Sequence, residues 1–497
     1  MTTAALAQRS AAGFGWNVAG GAARAGAGLA VNAVLARLLG PEPFGQVALL
    51  MAGISLGTLV VECGLGTGLI QKAQVEEADA RAAFTLQMTA GLGLALATAM
   101  AAPWLARGLG QAPLAPLVAV LALVLPLQAF GQTGAALLRR RLDFQRLQQL
   151  QLASYLLGYL GLGIPLALRG SGAWSLVAAQ LAQTAAYSLG AWRLAGHSLR
   201  PLWPGGYGAL ARFGMSITAG NIAAWATVAV PPLLIGRWAG MTELGLYSRA
   251  FFVASTPAAV LASSLQTTTL PLHSRLRGHR RVANRAHLGI LAVSQWASLP
   301  LFCAAAAMPA TVIAALFGEG WSAAAGLLTP LALAMPLECV AALSGPLLTA
   351  VGRPGVEFRV QLVTALSALA TVGVVAARGT VAEAAWAVMM GVYGVRALAG
   401  TVATIRVTGM SGRAWLRAVS GSAAVGALVY GLVAVAEGWL AGMGAWPRMT
   451  ALGLLALAVA VGAAVAAPRQ VLGLEGVRMV TRHLAPLWGK HRGAAWS

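Results

Sequence analysis

Charge is scarce in this chain. Only 9% of its 497 residues are Asp, Glu, Lys or Arg, against about 25% in a soluble globular domain. No window the length of an ordinary domain is polar enough to fold in water, so water is not the solvent for most of this surface. Cysteine is nearly absent. Cys63, Cys303 and Cys339 lie far apart inside apolar segments, which excludes a disulfide framework and any metal site built on cysteine spacing. The six histidines, His197, His273, His279, His287, His483 and His491, fall in or beside polar segments without ligand spacing. Gly64-Leu65-Gly66-Thr67-Gly68 lacks the Lys-Ser/Thr and the preceding strand of a phosphate loop; close helix packing explains it better. No catalytic constellation emerges, and the chain is expected to be neither an enzyme nor a cofactor binder. The first apolar stretch is too long for a cleaved signal segment and reads as a retained span.

What is present is hydrophobicity. Apolar residues make up 58% of the chain and the mean hydropathy is +0.75. Apolar runs recur near 12–36, 45–70, 82–106, 113–137, 148–168 and 172–194, then near 210–236, 245–271, 287–309, 322–350, 356–378 and 381–405, with a last pair near 416–436 and 447–467. About 20 apolar residues cross ~30 Å of hydrocarbon as a helix, and only helices or closed barrels satisfy the backbone there. These runs are too long for barrel strands. The expected fold is an all-α polytopic membrane protein of about fourteen transmembrane helices. Trp104, Trp203, Trp238, Trp321, Trp415 and Trp439 stand at span ends, as an aromatic belt requires.

The net charge of +21 has a topological reading. Arginine clusters at 139–146, 193–212, 275–285 and 406–417 and in the tail after Pro468, all in even-numbered loops or at the termini, whereas odd-numbered loops carry few. The positive-inside rule then puts both termini in the cytoplasm. Some of this charge also suits anionic lipid headgroups. Nucleic acid is not an expected partner.

The chain also repeats itself. Arg37, Gly40 and Gly45 follow span 1, and Arg237, Gly240 and Gly245 follow span 7 at the same internal spacing. Arg139 with Asp143-Phe144 after span 4 is matched by Arg353 with Glu357-Phe358 after span 10. Two landmarks in the same order imply two six-helix halves inserted with the same orientation. The expected domains are an N-terminal lobe over 1–200, a second lobe over 201–410, an added helix pair over 411–467 and a basic cytoplasmic tail over 468–497.

Further matches extend these landmarks. They are Ala36-Arg37-Leu38-Leu39-Gly40-Pro41-Glu42 with Phe44-Gly45, Gly64-Leu65-Gly66 leading to Leu69-Ile70-Gln71, and Leu137-Leu138-Arg139-Arg140-Arg141-Leu142-Asp143-Phe144. Leu234-Ile235-Gly236-Arg237, Leu244-Gly245-Leu246-Tyr247-Ser248-Arg249-Ala250, Leu316-Phe317-Gly318-Glu319-Gly320-Trp321 and Gly352-Arg353-Pro354 with Glu357-Phe358 complete the ordered set. In these residues the chain resembles the polysaccharide-transporter (oligosaccharide flippase) branch of the multidrug/oligosaccharidyl-lipid/polysaccharide exporter superfamily. The resemblance implies two pseudo-symmetric six-helix lobes around a central hydrated cavity. It also implies a polyprenyl-pyrophosphate-linked glycan as substrate, carried to the outer leaflet by alternating access for O-antigen, capsule or exopolysaccharide assembly. Membrane lipids, a polysaccharide polymerase and glycosyltransferases would be its partners. One departure stands out: the family often places an acid in span 7 before Leu-Leu-Ile-Gly, where this chain has Pro231-Pro232.

Charged residues inside spans are costly, about 2.5–3.5 kcal/mol for a mid-helix Arg, and so mark candidate sites. Arg24, in a Gly/Ala-rich part of span 1, is the leading candidate to hold a diphosphate through bidentate hydrogen bonds. The alternative for Arg24 is pairing with Glu62 or with helix-end carbonyls, or reaching an interface. Arg249 and Arg396 are further substrate-binding candidates, joined by Asn221 and Gln132. Asn17, Gln128, Gln180, Gln183, Gln266 and Gln295 are additional hydrogen-bonding groups, either facing sugars or joining helices. Glu62 and Glu338 are candidates for ion coupling, or simply counter-ions for an Arg. Two other functional classes compete with the flippase: a cation-coupled drug or metabolite antiporter of the same superfamily, and a membrane glycosyltransferase or polymerase. The enzymes would require catalytic acids or a long outer loop, and the only acid of the first outer loop is Glu42.

Overall fold

The computed structural model describes residues 3–62, 64–72, 74–203, 208–276, 279–472 and 475–477. Cys63, His483, His491 and most of the basic tail fall outside them, as do the side chains of Asn17 and its neighbours. Every regular element among the described residues is a helix. The long ones are α1 (Thr3–Leu39), α2 (Pro41–Glu62), α3 (Glu77–Gly108), α4 (Ala112–Arg140), α5 (Phe144–Leu168), α6 (Ala173–Ala195) and α7 (Gly208–Trp238). They continue as α8 (Met241–Arg275), α9 (Arg280–Ala307), α10 (Glu319–Ala350), α11 (Pro354–Arg378), α12 (Val381–Thr408), α13 (Gly412–Trp439) and α14 (Ala445–Ala466).

Twelve segments of these helices are long and apolar enough to cross a membrane. The 23 residues of α6 and the 31 of α7 are also long enough at 1.5 Å per residue. With them the count reaches the fourteen expected. In α6 the polarity comes from Gln180, Gln183 and Thr184. Large apolar side chains such as Met100, Leu366, Val374 and Leu454 stay exposed, as a lipid-facing surface demands. The chain is a multi-pass membrane protein.

Two compact units divide the chain, Met1–Ser248 and Arg249–Ser497. In the first, the turns after α1 and α7 each hold a glycine in the left-handed region, Gly40 (φ 71°) and Gly240 (φ 89°), a conformation that penalises any side chain. These are the two glycines matched in the repeat. The next matched pair makes reciprocal contacts. A Cβ on Gly45 would collide with the Met241 carbonyl, and one on Gly245 with the Pro41 carbonyl. The starts of α2 and α8 therefore cross backbone to backbone, with equivalent residues exchanging roles as at an isologous interface. Between α4 and α6 the same principle holds, since a Cβ on Gly131 would lie 2.6 Å from Ser188 Cα.

Glu62 closes α2. Gly64 (φ 63°) turns the chain there into a short helix, Leu65–Gln71, so the apolar run near 45–70 is broken at this acid. Arg140 Nη1 donates to the carbonyls of Leu69 (3.0 Å), Ile70 and Lys72, satisfying the end of that short helix. A capping box of Glu76 and Asp79 starts α3, and Lys72 Nζ reaches Asp79 Oδ1 at 2.6 Å.

In the second unit α13 lies along α9. Trp296 Nε1 donates to the Ala460 carbonyl (3.2 Å), and Thr311 Oγ1 to Glu437 Oε1 (2.8 Å). The core there joins Ile290, Leu291 and Ala292 of α9 to Val340 and Leu343 of α10 and to Ala418 of α13. The last helix pair is thus packed into this unit.

Candidate functional site

The first unit carries a ladder of polar side chains across three helices. Arg24 of α1 is exposed, and its Nη1 donates to Gln151 Oε1 of α5 at 3.2 Å. One turn earlier, Gly20 gives the room for this approach, since a Cβ there would lie 2.7 Å from Gln148 Cβ. Two turns later, Asn32 Nδ2 donates to the Tyr155 hydroxyl (3.3 Å) and to the Gly28 carbonyl (2.9 Å). The Tyr155 and Tyr159 rings stack with centroids 4.8 Å apart. Tyr159 opens a π-helical turn, Tyr159–Gly163, and its hydroxyl donates to Gln180 Oε1 of α6 at 3.1 Å. Gln180 Nε2 then donates to Thr184 Oγ1 at 3.3 Å.

Arg24 and Gln180 were singled out from sequence, whereas Gln151, Tyr155, Tyr159 and Asn32 were not. The signal was available: Gln148, Gln151, Tyr155 and Tyr159 follow the three- and four-residue steps of one helical face. Glu62 is half-buried, with its Oε1 near Gly66; the partner described for Arg24 is an amide.

The remaining amides divide. Thr58 Oγ1 donates to Gln128 Oε1 (2.7 Å) between α2 and α4, and Gln295 Nε2 to the Pro336 carbonyl (3.2 Å) between α9 and α10. These join helices. Gln132 is half-buried on α4, and Asn221 and Gln266 are exposed on α7 and α8.

In the second unit Arg396 Nη1 sits 2.7 Å from Glu338 Oε2, with side chains 18% and 20% exposed. The pair joins α12 to α10, and Arg396 follows a π-helical segment, Val388–Gly394. Arg249 is half-buried, its guanidinium 5.0 Å from the Phe252 ring centroid. At the end of α6, His197 packs on Phe84 with ring centroids 5.6 Å apart. Burial holds its pKa below the usual value, opposed in part by the bond to the Ser198 carbonyl.

Arg24 and Arg396 therefore differ in charge balance: Arg396 pairs with a carboxylate, whereas the described partner of Arg24 is a neutral amide. An exposed, uncompensated guanidinium beside hydroxyls, amides and aromatic faces can hold an anion through charge-assisted hydrogen bonds and a hydroxyl-rich group alongside it.

Known proteins share this chain's sequence and fold. It is 27% identical over 385 residues to the succinoglycan biosynthesis transport protein ExoT of Rhizobium meliloti, covering 77% of this chain and 78% of that one. It is 22% identical over 366 residues to the lipopolysaccharide biosynthesis protein WzxC of Escherichia coli, covering 71% and 72%. The lipid II flippase MurJ in an inward closed conformation shares the fold with a TM-score of 0.68 at 11% identity, over 92% of this chain and 97% of that one. An inward-facing multidrug resistance transporter of the MATE family gives a TM-score of 0.59 at 16% identity, over 76% and 92%. The profile of the family described as "Polysaccharide biosynthesis protein" matches residues 34–326, more than half of the chain, and the chain belongs to that family.

Proposed function

We propose that this protein is a flippase moving a polyprenyl-pyrophosphate-linked oligosaccharide across the bacterial inner membrane for surface polysaccharide assembly. The observation that carries this reading is Arg24, exposed within a spanning helix and opposed by Gln151 alone among its described partners. A cation left without a counter-ion at that depth is tolerated beside water and is suited to an anionic ligand. The arginine-rich loops support cytoplasmic termini. In that orientation Arg24 lies near the middle of α1, and the ladder through Tyr155, Tyr159 and Gln180 leads outward. The pyrophosphate would bind Arg24, and the sugars would lie on the amide and tyrosine side chains beyond it. Alternating access would carry the headgroup across while the polyprenyl tail stays in lipid. The names of ExoT and WzxC, both attached to polysaccharide biosynthesis, support the substrate class. Arg249 and Arg396 are secondary contacts in this scheme, with Asn221 and Gln132 as polar lining.

The test is Arg24→Gln and Arg24→Lys in cells deleted for the native gene. Charged hydrogen bonds contribute about 1.5–3 kcal/mol, so Arg24→Gln should cut flipping about ten- to a hundredfold while Arg24→Lys retains part of it. Surface polysaccharide should fall and the lipid-linked intermediate accumulate. Wild-type levels of both with Arg24→Gln would overturn the role of Arg24. Transport of cationic drugs with normal surface polysaccharide in the deletion strain would favour the antiporter.

A further inference from the structure

A single charge heads the polar ladder of the first unit. Between Arg24 and Arg37 on α1, across 147–168 of α5 and across 173–192 of α6, the sequence holds no Asp, Glu, Lys, Arg or His. The polar side chains of those stretches are amides, hydroxyls and phenols, and contacts tie them together. Asn32 donates to the Tyr155 hydroxyl, Tyr155 stacks on Tyr159, and the Tyr159 hydroxyl donates to Gln180. Thr184, only 6% exposed, closes the ladder, accepting from Gln180 Nε2 and donating to the Gln180 carbonyl at 2.8 Å. From Gln151, the partner of Arg24, to Tyr159 is about 12 Å of α5 at 1.5 Å per residue. Over that length the ladder is polar throughout and charged nowhere.

Such a ladder selects by what it lacks. An amide, a phenol and an aliphatic hydroxyl each both donate and accept, so they can meet sugar hydroxyls in either sense, and an aromatic face can cover the apolar C–H face of a sugar ring. A carboxylate on the glycan finds no cation along these stretches except Arg24, which the pyrophosphate already occupies in the reading above. An ammonium finds no carboxylate at all. Either charge must leave water without a counter-charge, which is strongly unfavourable. Specificity is a difference of affinities, and leaving a charge unmatched in the wrong ligand is one way to create it. A neutral hydroxyl or acetamido group carries no such penalty.

We infer that the glycan is uncharged in the sugars nearest its pyrophosphate, built of hexoses or N-acetylhexosamines rather than uronates or free amino sugars, and that the ladder from Asn32 to Thr184 sets this preference. The inference rests on the flippase reading, and the experiment separates the two. Purified full-length protein in liposomes is given three polyprenyl-pyrophosphate trisaccharides that differ only in the second sugar: glucose, glucuronate or glucosamine. Crossing is followed by the access of membrane-impermeant periodate to the glycan. The glucose compound should cross at least about tenfold faster than either charged one. Gln180→Arg should raise the glucuronate compound about tenfold relative to glucose and leave glucosamine slow, whereas Gln180→Glu should do the reverse. If neither variant folds, the native ranking decides. Equal rates for all three compounds, or a ranking that the folded variants leave unchanged, overturn the inference while the flippase reading stands. Crossing of none of the three by folded native protein sinks the flippase reading and the inference with it.

Discussion

The ion pair between Glu338 and Arg396 gives the sharpest quantitative test of how the second unit holds together. Its 2.7 Å separation and exposures near one fifth place it among buried pairs. Removing one partner of such a pair strands a charge and costs about 3–5 kcal/mol, whereas replacing both by apolar side chains is often neutral. The two single variants should not be equal. A stranded carboxylate can be neutralised by a proton, but a guanidinium cannot. Glu338→Leu, which strands Arg396, should therefore cost about 3–4 kcal/mol, and Arg396→Met about 2 kcal/mol. The double variant should fall within about 1 kcal/mol of the native protein, a coupling of about 4–6 kcal/mol. Reversible unfolding in mixed micelles of all four proteins measures the cycle. Additive single effects, with coupling under about 0.5 kcal/mol, would refute the idea that this pair is closed upon itself.

Two further outcomes follow from local geometry. Gly245→Ala should lower the thermal midpoint and the yield of monodisperse protein, because its Cβ would meet the Pro41 carbonyl; overpacking of this kind costs about 1–3 kcal/mol or more. Gly66→Ala, whose nearest neighbour would stand at 3.7 Å, should be neutral within about 0.5 kcal/mol. His197 is held neutral by burial, its pKa below the ordinary 6.5. The unfolded chain thus binds the proton more readily, so stability is complete above about pH 6.5 and declines as pH falls through the lower folded value. Thermal midpoints between about pH 7.5 and pH 5 should fall less steeply in His197→Phe than in the native protein, and identical slopes would show that His197 does not contribute.

Much of this was legible in the sequence, for identifiable reasons. The spans declare themselves because lipid demands unbroken apolar runs, and even α6, less apolar because of Gln180, Gln183 and Thr184, stands near its expected 172–194 as Ala173–Ala195. The landmarks on which the expected repeat rests are backbone necessities: Gly40 and Gly240 both take positive φ, and Gly45 and Gly245 both admit another backbone. Pairings were less legible. Arg24 had Glu62 and helix-end carbonyls as alternative protein partners, yet the neighbour brought to it is Gln151, 127 residues away. Charge alone does not set helix neighbours; the approach of α1 to α5 depends on the missing side chain at Gly20. Glu62 ends its helix because Gly64 turns the chain left-handed, a conformation that composition does not announce.

The places where the expected repeats differ bear on mechanism more than those where they agree. Where they agree, at Gly40 and Gly240 and at Gly45 and Gly245, all within the first unit, the residues serve chain geometry, and any side chain would disrupt it. Where they differ, ionisable groups have been reassigned. The first unit keeps an unneutralised Arg24 at the head of a tyrosine and amide ladder and spends Asp143 as a helix cap. The second closes Arg396 onto Glu338 and turns Glu357 inward. A counter-ion near a cation competes with any anionic ligand. Among the described residues, Arg396 of the second unit has such a counter-ion in Glu338, whereas Arg24 of the first unit has an amide, so of these two arginines Arg24 is the better suited to an anion.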